Sequence, residues 1–278
     1  MTDAPTTADL LTVARAVATA AGEAAMPHFR RSGLSVDDKA DGSPVTIADR
    51  QAEQAMRRVI GERFPGDAVL GEEFGAQNNE RLVLGHDAPR QWVLDPIDGT
   101  ASFIRGVPLF GALVAVMERG RPVVGVMHFP ALDETVYASV GGGAWFCAGI
   151  APPVRAEVSA TSSLAQATVC TTSDDYFRQT ESRSVWRAIC DASASTRGWS
   201  DCYAFALLAT GQIDAVVEPP VLHPWDAAAA IPIIAEAGGR WTDWEGVCSV
   251  ERRSVLATNA AIHDELLHLI GKTPAGDD

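Results

Sequence analysis

Asp95-Pro96-Ile97-Asp98-Gly99-Thr100 follows an apolar strand, Trp92-Val93-Leu94, and sets two carboxylates three residues apart on the turn that ends it. Hard divalent cations take oxygen ligands, and Mg²⁺ favours a few carboxylates plus water over an all-protein cage, so this turn suits them. Pro96 stiffens the segment after the first acidic residue, and Gly99 lets backbone approach an anion closely. A helix starting near Thr100 would turn its free N–H groups to the same anion. Two more acidic motifs stand where apolar segments stop, Gly71-Glu72-Glu73 upstream and Pro224-Trp225-Asp226-Ala227-Ala228 far downstream. Glu72, Asp95, Asp98 and Asp226 are therefore a candidate ligand set. Each motif alone has a plainer reading: an ordinary Asp-Pro-x-Asp-Gly turn, a solvated Glu72-Glu73 pair, and Asp226 as a helix N-cap.

The chain has 278 residues, 47% of them apolar, enough for one large core or two modest ones. No stretch approaches the roughly 18 uninterrupted apolar residues of a membrane span, as in a soluble globular protein. The Ala-rich start, Met1 to Met26, is interrupted by Asp3, Asp9, Arg15 and Glu23 and lacks a basic leading region, so it reads as a retained helix of a cytoplasmic protein. A net charge of −14 disfavours nucleic acid and anionic membranes as partners, because both demand basic patches. It leaves room for a phosphorylated small molecule if carboxylates converge on cations that invert the local field. Five dispersed cysteines without a CxxC pair predict reduced thiols rather than a disulfide framework or a thiolate zinc site.

Apolar residues at helical spacing predict an amphipathic helix over residues 8–30, closed by Gly33, and a second from Thr46 to Arg63. Strands are expected at Val69 to Gly71, Gln91 to Asp95, Leu109 to Glu118, Pro122 to Phe129 and Glu134 to Val140, as in an antiparallel meander. Gly141-Gly142-Gly143 and Ala151-Pro152-Pro153 mark a domain boundary near residue 150, giving an N-terminal α+β domain (1–150) and a C-terminal α/β domain (151–278). Beyond it, strands at Val169 to Thr172, Ala215 to Glu218 and Val255 to Ala257 alternate with helices at Tyr176 to Ala192, Cys202 to Thr210, Ala227 to Ala237 and Ala260 to Leu269. The class is α+β. Trp92, Trp145, Trp186, Trp241 and Trp244 are expected in the core. Of six histidines without ligand spacing, only His223, beside Pro224-Trp225-Asp226, stands near the acidic motifs.

The acidic hexad with its two flanking motifs resembles the inositol monophosphatase family of Mg²⁺-dependent, lithium-sensitive phosphatases, over roughly residues 10–270. The resemblance implies a layered α/β/α/β/α sandwich, a homodimer, and two or three Mg²⁺ ions per subunit. It implies that Asp95 bridges two metals, that Glu72 and the Ile97 carbonyl complete the first, and that Asp98 and Asp226 hold the second. It pairs Thr100 with Asp49, in Val45-Thr46-Ile47-Ala48-Asp49, to orient the attacking water, with Glu73 placing water or a third ion and Lys39 near the site. Phosphate monoesters hydrolyse very slowly without catalysis, and a pair of metals about 4 Å apart supplies both an activated water and charge neutralisation.

The metal motifs do not name the alcohol. In the family, residues matching Trp199-Ser200-Asp201-Cys202-Tyr203 and Glu218 line its pocket. Asp201-Cys202-Tyr203-Ala204, Asp243-Trp244-Glu245-Gly246 and Pro108-Leu109-Phe110-Gly111 resemble the histidinol-phosphatase branch, although Trp199 and Ser200 stand where that branch carries glycines. Histidinol phosphate bears an ammonium and an imidazole, which carboxylates at Asp201 and Glu218 can pair. Asp201 as a helix cap and Glu218 in a structural ion pair are the plainer readings. Inositol 1-phosphate, another sugar monophosphate, and a non-catalytic ligand-binding role stay open at this point.

Overall fold

The computed structural model describes residues 5–39, 42–77, 90–199 and 201–274, so the expectation for Ser200 lies outside them. Helix α1 (Thr7–Ala25) opens with a capping box, the Thr6 hydroxyl accepting the Asp9 N–H while the Asp9 carboxylate accepts the Thr6 N–H. It ends well before Gly33. Pro27, in the 3₁₀ turn Met26–His28 that follows, has no N–H with which to continue the ladder. Strands β1 (Val36–Asp38) and β2 (Pro44–Thr46) form an unforeseen short hairpin, and Thr46 then caps α2 (Ile47–Arg63).

Strands β3 (Ala68–Gly71), β4 (Gly75–Gln77) and β5 (Arg90–Asp98) precede a one-turn helix, α3 (Thr100–Ile104). Then come β6 (Gly111–Glu118), β7 (Arg121–Phe129), β8 (Glu134–Ser139), β9 (Gly143–Ala148) and β10 (Val154–Arg155). They form one sheet in the order β10-β9-β8-β7-β6-β5-β3-β4. The expected meander holds from β5 to β8, the unforeseen β9 and β10 extend it, and β3 lies parallel to β5.

The rest of the chain supplies β11 (Thr168–Cys170), α4 (Asp174–Gln179), α5 (Arg183–Ala192), β12 (Ser195–Arg197), α6 (Asp201–Ala209) and β13 (Ala215–Glu218). It continues with α7 (Pro224–Ala228), α8 (Ala230–Glu236), β14 (Arg240–Thr242), β15 (Val255–Thr258) and α9 (His263–Lys272). These strands make a mixed five-stranded sheet, β12-β11-β13-β15-β14. Two expected helices are broken. Glu181, at φ 53°, separates α4 from α5. The single helix expected from Ala227 to Ala237 starts earlier and divides at Ala229, because Pro232 cannot donate to the Ala228 carbonyl.

Helices α1 and α2 cover one face of the large sheet, burying Trp92, Leu94, Val114, Val116, Val124 and Val126. Helices α6, α7 and α8 fill the space between the two sheets, against Val93, Leu113, Ala115, Met127 and, from the second sheet, Val216 and Ala257. Phe177, Ile189, Leu266 and Ile270 of α4, α5 and α9 close the far side. The layers thus run α/β/α/β/α. Trp92 and Trp241 are buried as expected, whereas Trp145, Trp186 and Trp244 are only partly so. No helix of the described residues is long and apolar enough to cross a membrane.

Seating α8 on β7 requires a bare backbone at Gly125, where a Cβ would collide with the Ala229 carbonyl. Gly125→Ala is expected to cost about 1–3 kcal/mol, read as a lower urea midpoint. An unchanged midpoint would show that α8 is not held there.

Candidate active site

Pleating of β5 points Trp92 and Leu94 to α1 and α2 and Val93 to the inter-sheet core, so Asp95 also faces inward, where α7 packs. Three residues on, Asp98 should face the other way. It does not, because Asp95 pairs with Leu113 and Asp98 with Gly111, one residue more on β5 than on β6. This bulge returns Asp98 to the face that carries Asp95. Gly99 follows at φ 90°, and a Cβ there would lie 3.0 Å from Asp201 Oδ2 and 3.1 Å from the Leu109 carbonyl.

Asp226 arrives from the first turn of α7. Its carboxylate accepts the His223 N–H at 2.7 Å, so it is the third residue of a helix begun by Pro224 rather than the cap of one begun at Ala227. One carboxylate oxygen from each of Asp95, Asp98 and Asp226 lies within 4.8 Å of the other two. Burial raises all three pKa values, that of Asp226 to about 7; Glu72 and the other two then push Asp95 further up, and Asp201 pushes Asp98. Glu72 lines the same cavity, of about 610 Å³, and lies near enough for its charge to raise the Asp95 pKa.

With this geometry in place, residues 7–274 match the sequence profile of the inositol monophosphatase family. The chain belongs to that family. It is 39% identical over 259 residues to a histidinol-phosphatase of Mycobacterium tuberculosis, covering 93% of this chain and 96% of the relative. A histidinol-phosphatase of Chlorobaculum parvum is 37% identical, with 94% and 96% covered. The fold superimposes on a solved inositol monophosphatase from Zymomonas mobilis with a TM-score of 0.81, at 34% identity over 96% of this chain and 100% of the other.

Thr100 and Asp49, which the family resemblance pairs, do meet. The Thr100 hydroxyl donates toward Asp49 Oδ1 at 3.2 Å and the Ile97 carbonyl at 3.1 Å, while Asp49 Oδ2 accepts the Thr46 N–H and hydroxyl at 2.8 and 2.7 Å. Asp49 is fully buried behind the cavity wall, and burial pushes its pKa up against those bonds. Lys39 sits on the wall and donates to Glu72 at 2.7 Å and Glu73 at 2.6 Å. Burial opposes its charge, but the two glutamates outweigh burial and hold the ammonium well above the usual lysine pKa. Glu73 lies behind this pair, its pKa raised to about 7 by burial first and Glu72 second.

Asp201 and Glu218 both line the cavity. Asp201 opens α6 in the left-handed region, φ 46°, with its N–H donated to the Thr172 hydroxyl at 3.1 Å. Glu218, on β13, is bonded to neutral donors, the Thr171 hydroxyl at 3.1 Å and the Thr172 N–H at 2.6 Å, and burial raises its pKa to about 8. The Asp243-Trp244-Glu245-Gly246 motif is not part of the cavity lining. Asp243 accepts the N–H groups of Glu245 and Val247 and shapes a turn after β14.

Sequence reading missed Tyr176, Phe205 and Arg253 in the lining, since only the docking of α4, α6 and the chain before β15 brings them in. Burial and then Asp201 and Glu218 raise the Tyr176 pKa to about 12, which keeps the phenol a donor. His223, expected to overlook the site, lines it and stacks on Trp225 with ring centroids 4.9 Å apart.

Glu73, Glu218 and Asp226 hold protons in the folded state at pH values where the unfolded chain has released them. Without divalent cations, folding stability is therefore expected to fall as pH rises from about 5 to about 8. Urea unfolding in chelator across that range checks this, and Mg²⁺ should stabilise most at the alkaline end, because it takes deprotonated ligands. A stability in chelator that stays flat or rises over the same range contradicts it.

Proposed function

We propose that this protein is a Mg²⁺-dependent phosphomonoesterase whose substrate is L-histidinol phosphate. The convergence of Asp95, Asp98 and Asp226 in a cavity that also presents Asp201 and Glu218 carries the reading. The donor set is hard oxygen, buried or half-buried and mutually repulsive, which fits dications. Glu72, Asp95, the Ile97 carbonyl, Asp98 and Asp226 would hold two or three Mg²⁺ ions. Bound there, Mg²⁺ supplies positive charge to phosphoryl oxygens and acidifies water.

The chain's own groups do the positioning. Thr100 spends its proton on Asp49 and the Ile97 carbonyl, leaving its oxygen lone pairs to accept from the attacking water. Asp49 cannot turn away, because Thr46 grips its other oxygen. Glu73 assists in placing water, and Lys39 balances Glu72 and Glu73 beside the phosphoryl group. Gly99 leaves room for the ester to lie against backbone. Asp201 and Glu218 face the substrate ammonium and imidazole, and a cation there returns Glu218 to its ionised form.

A second reading, an inositol or sugar monophosphate as substrate, draws support from the likeness to the Zymomonas mobilis enzyme and from the hydroxyl-binding groups Thr172 and Tyr176 in the cavity. The proposal extends to a cytoplasmic homodimer feeding histidine biosynthesis, with mass in solution testing the dimer.

Comparing kcat/KM for histidinol phosphate, inositol 1-phosphate and fructose 1,6-bisphosphate separates the two readings, with preference for inositol phosphate favouring the second. Asp201→Asn is expected to lower kcat/KM about 10- to 100-fold for histidinol phosphate, the loss of one charge-assisted bond, and to leave inositol phosphate nearly unchanged. Asp95→Ala should abolish turnover of every ester. Retention of most Mg²⁺-dependent activity in that variant would refute the phosphatase mechanism.

A further inference from the structure

Glu53, on α2 one turn after Asp49, is a carboxylate with no solvent exposure, and the chemistry above gives it no task. It lies beneath the turn between β3 and β4 that carries Glu72 and Glu73. Its Oε2 accepts the Glu73 N–H at 2.7 Å, and its Oε1 accepts the Phe74 N–H at 3.3 Å and the Arg57 Nε at 2.8 Å. Arg57, a further turn along α2, donates to the Gly75 carbonyl at 2.6 Å and to Gln77 Oε1 at 3.0 Å. The backbone is shaped around the carboxylate, since a Cβ on Gly71 would collide with it.

Burying a charge is costly unless it is paired and fully hydrogen-bonded, and packing alone would be met by an apolar side chain. What a carboxylate adds is direction. It fixes two consecutive N–H groups, and with them the orientation of the peptides bearing Glu72 and Glu73. The same face of α2 holds Thr100 through Asp49. One helix therefore spaces the Glu72-Glu73 turn against the Asp95-to-Thr100 turn.

We infer that Glu53 and Arg57 form a positioning pair, holding the β3–β4 turn so that Glu72 presents its carboxylate to the cation site while Glu73 anchors Lys39 behind it, and that cation affinity depends on this pair. The inference rests on the reading of Glu72 as a cation ligand. Neither residue touches substrate.

Mn²⁺ titration followed by electron paramagnetic resonance, with Mg²⁺ competition, tests it without reference to turnover. Glu53→Gln turns an amide toward the N–H donors and is expected to weaken Mn²⁺ binding about 10- to 100-fold, as loss of an outer-shell partner does. The Mg²⁺ concentration for half-maximal activity should rise in step, with KM at saturating Mg²⁺ unchanged. Should Glu53→Gln fail to fold, Arg57→Met leaves the carboxylate and both of its backbone bonds in place and is expected to weaken Mn²⁺ in the same direction. Wild-type binding with folded variants that bind Mn²⁺ equally well overturns the inference alone. A wild-type chain that binds no Mn²⁺ overturns the cation reading and this inference with it.

Discussion

Mutual repulsion among buried carboxylates is the constraint around which this fold is arranged. At 4.8 Å, an ionised pair repels by on the order of 3 kcal/mol even at an effective dielectric near 20. Free side chains would swing apart. Asp95, Asp98 and Asp226 do not, because a central strand, a bulge and the capped first turn of a helix set their directions before charge is considered. A dication bound among them would relieve this repulsion, as the proposed function requires, and without one burial and mutual crowding raise the pKa of all three carboxylates.

The surrounding layers serve that arrangement. Helix α2 reaches both halves of the site from behind, through Asp49 to the hexad and through Glu53 to the glutamate turn. Around the site, bare backbone is needed at Gly71, over the Glu53 carboxylate, and at Gly99, against Asp201 and Leu109. Helices α6 and α7 emerge from the inter-sheet layer with Asp201 and Asp226 at or near their N-terminal ends, so the same packing that buries Phe205 and Ala227 aims both carboxylates into the cavity.

Much of this was legible in the chain. The α+β class follows from amphipathic helices and apolar strands, the five-layer order comes with the family resemblance that the acidic motifs carry, and those motifs mark the cavity because acidic residues rarely end buried strands without reason. Less was legible where tertiary structure overrides local pattern. Three-residue edge strands such as β12 and β14 carry no alternation to read. The β3–β5 pairing is parallel because long-range packing, not a hairpin turn, brings the strands together. The bulge that makes a spacing of three work has no composition of its own. Glu53 reads as one more polar position on a helix, and Tyr176 as one more helical aromatic, until α2 and α4 dock.

Anomalous diffraction from Mn²⁺-soaked crystals tests the central claim most directly. The account predicts peaks bracketed by the carboxylates of Asp95, Asp98 and Asp226, with Glu72 drawn to one of them. Manganese bound only elsewhere, or a cavity in which these carboxylates turn away from one another around no ion, would contradict it.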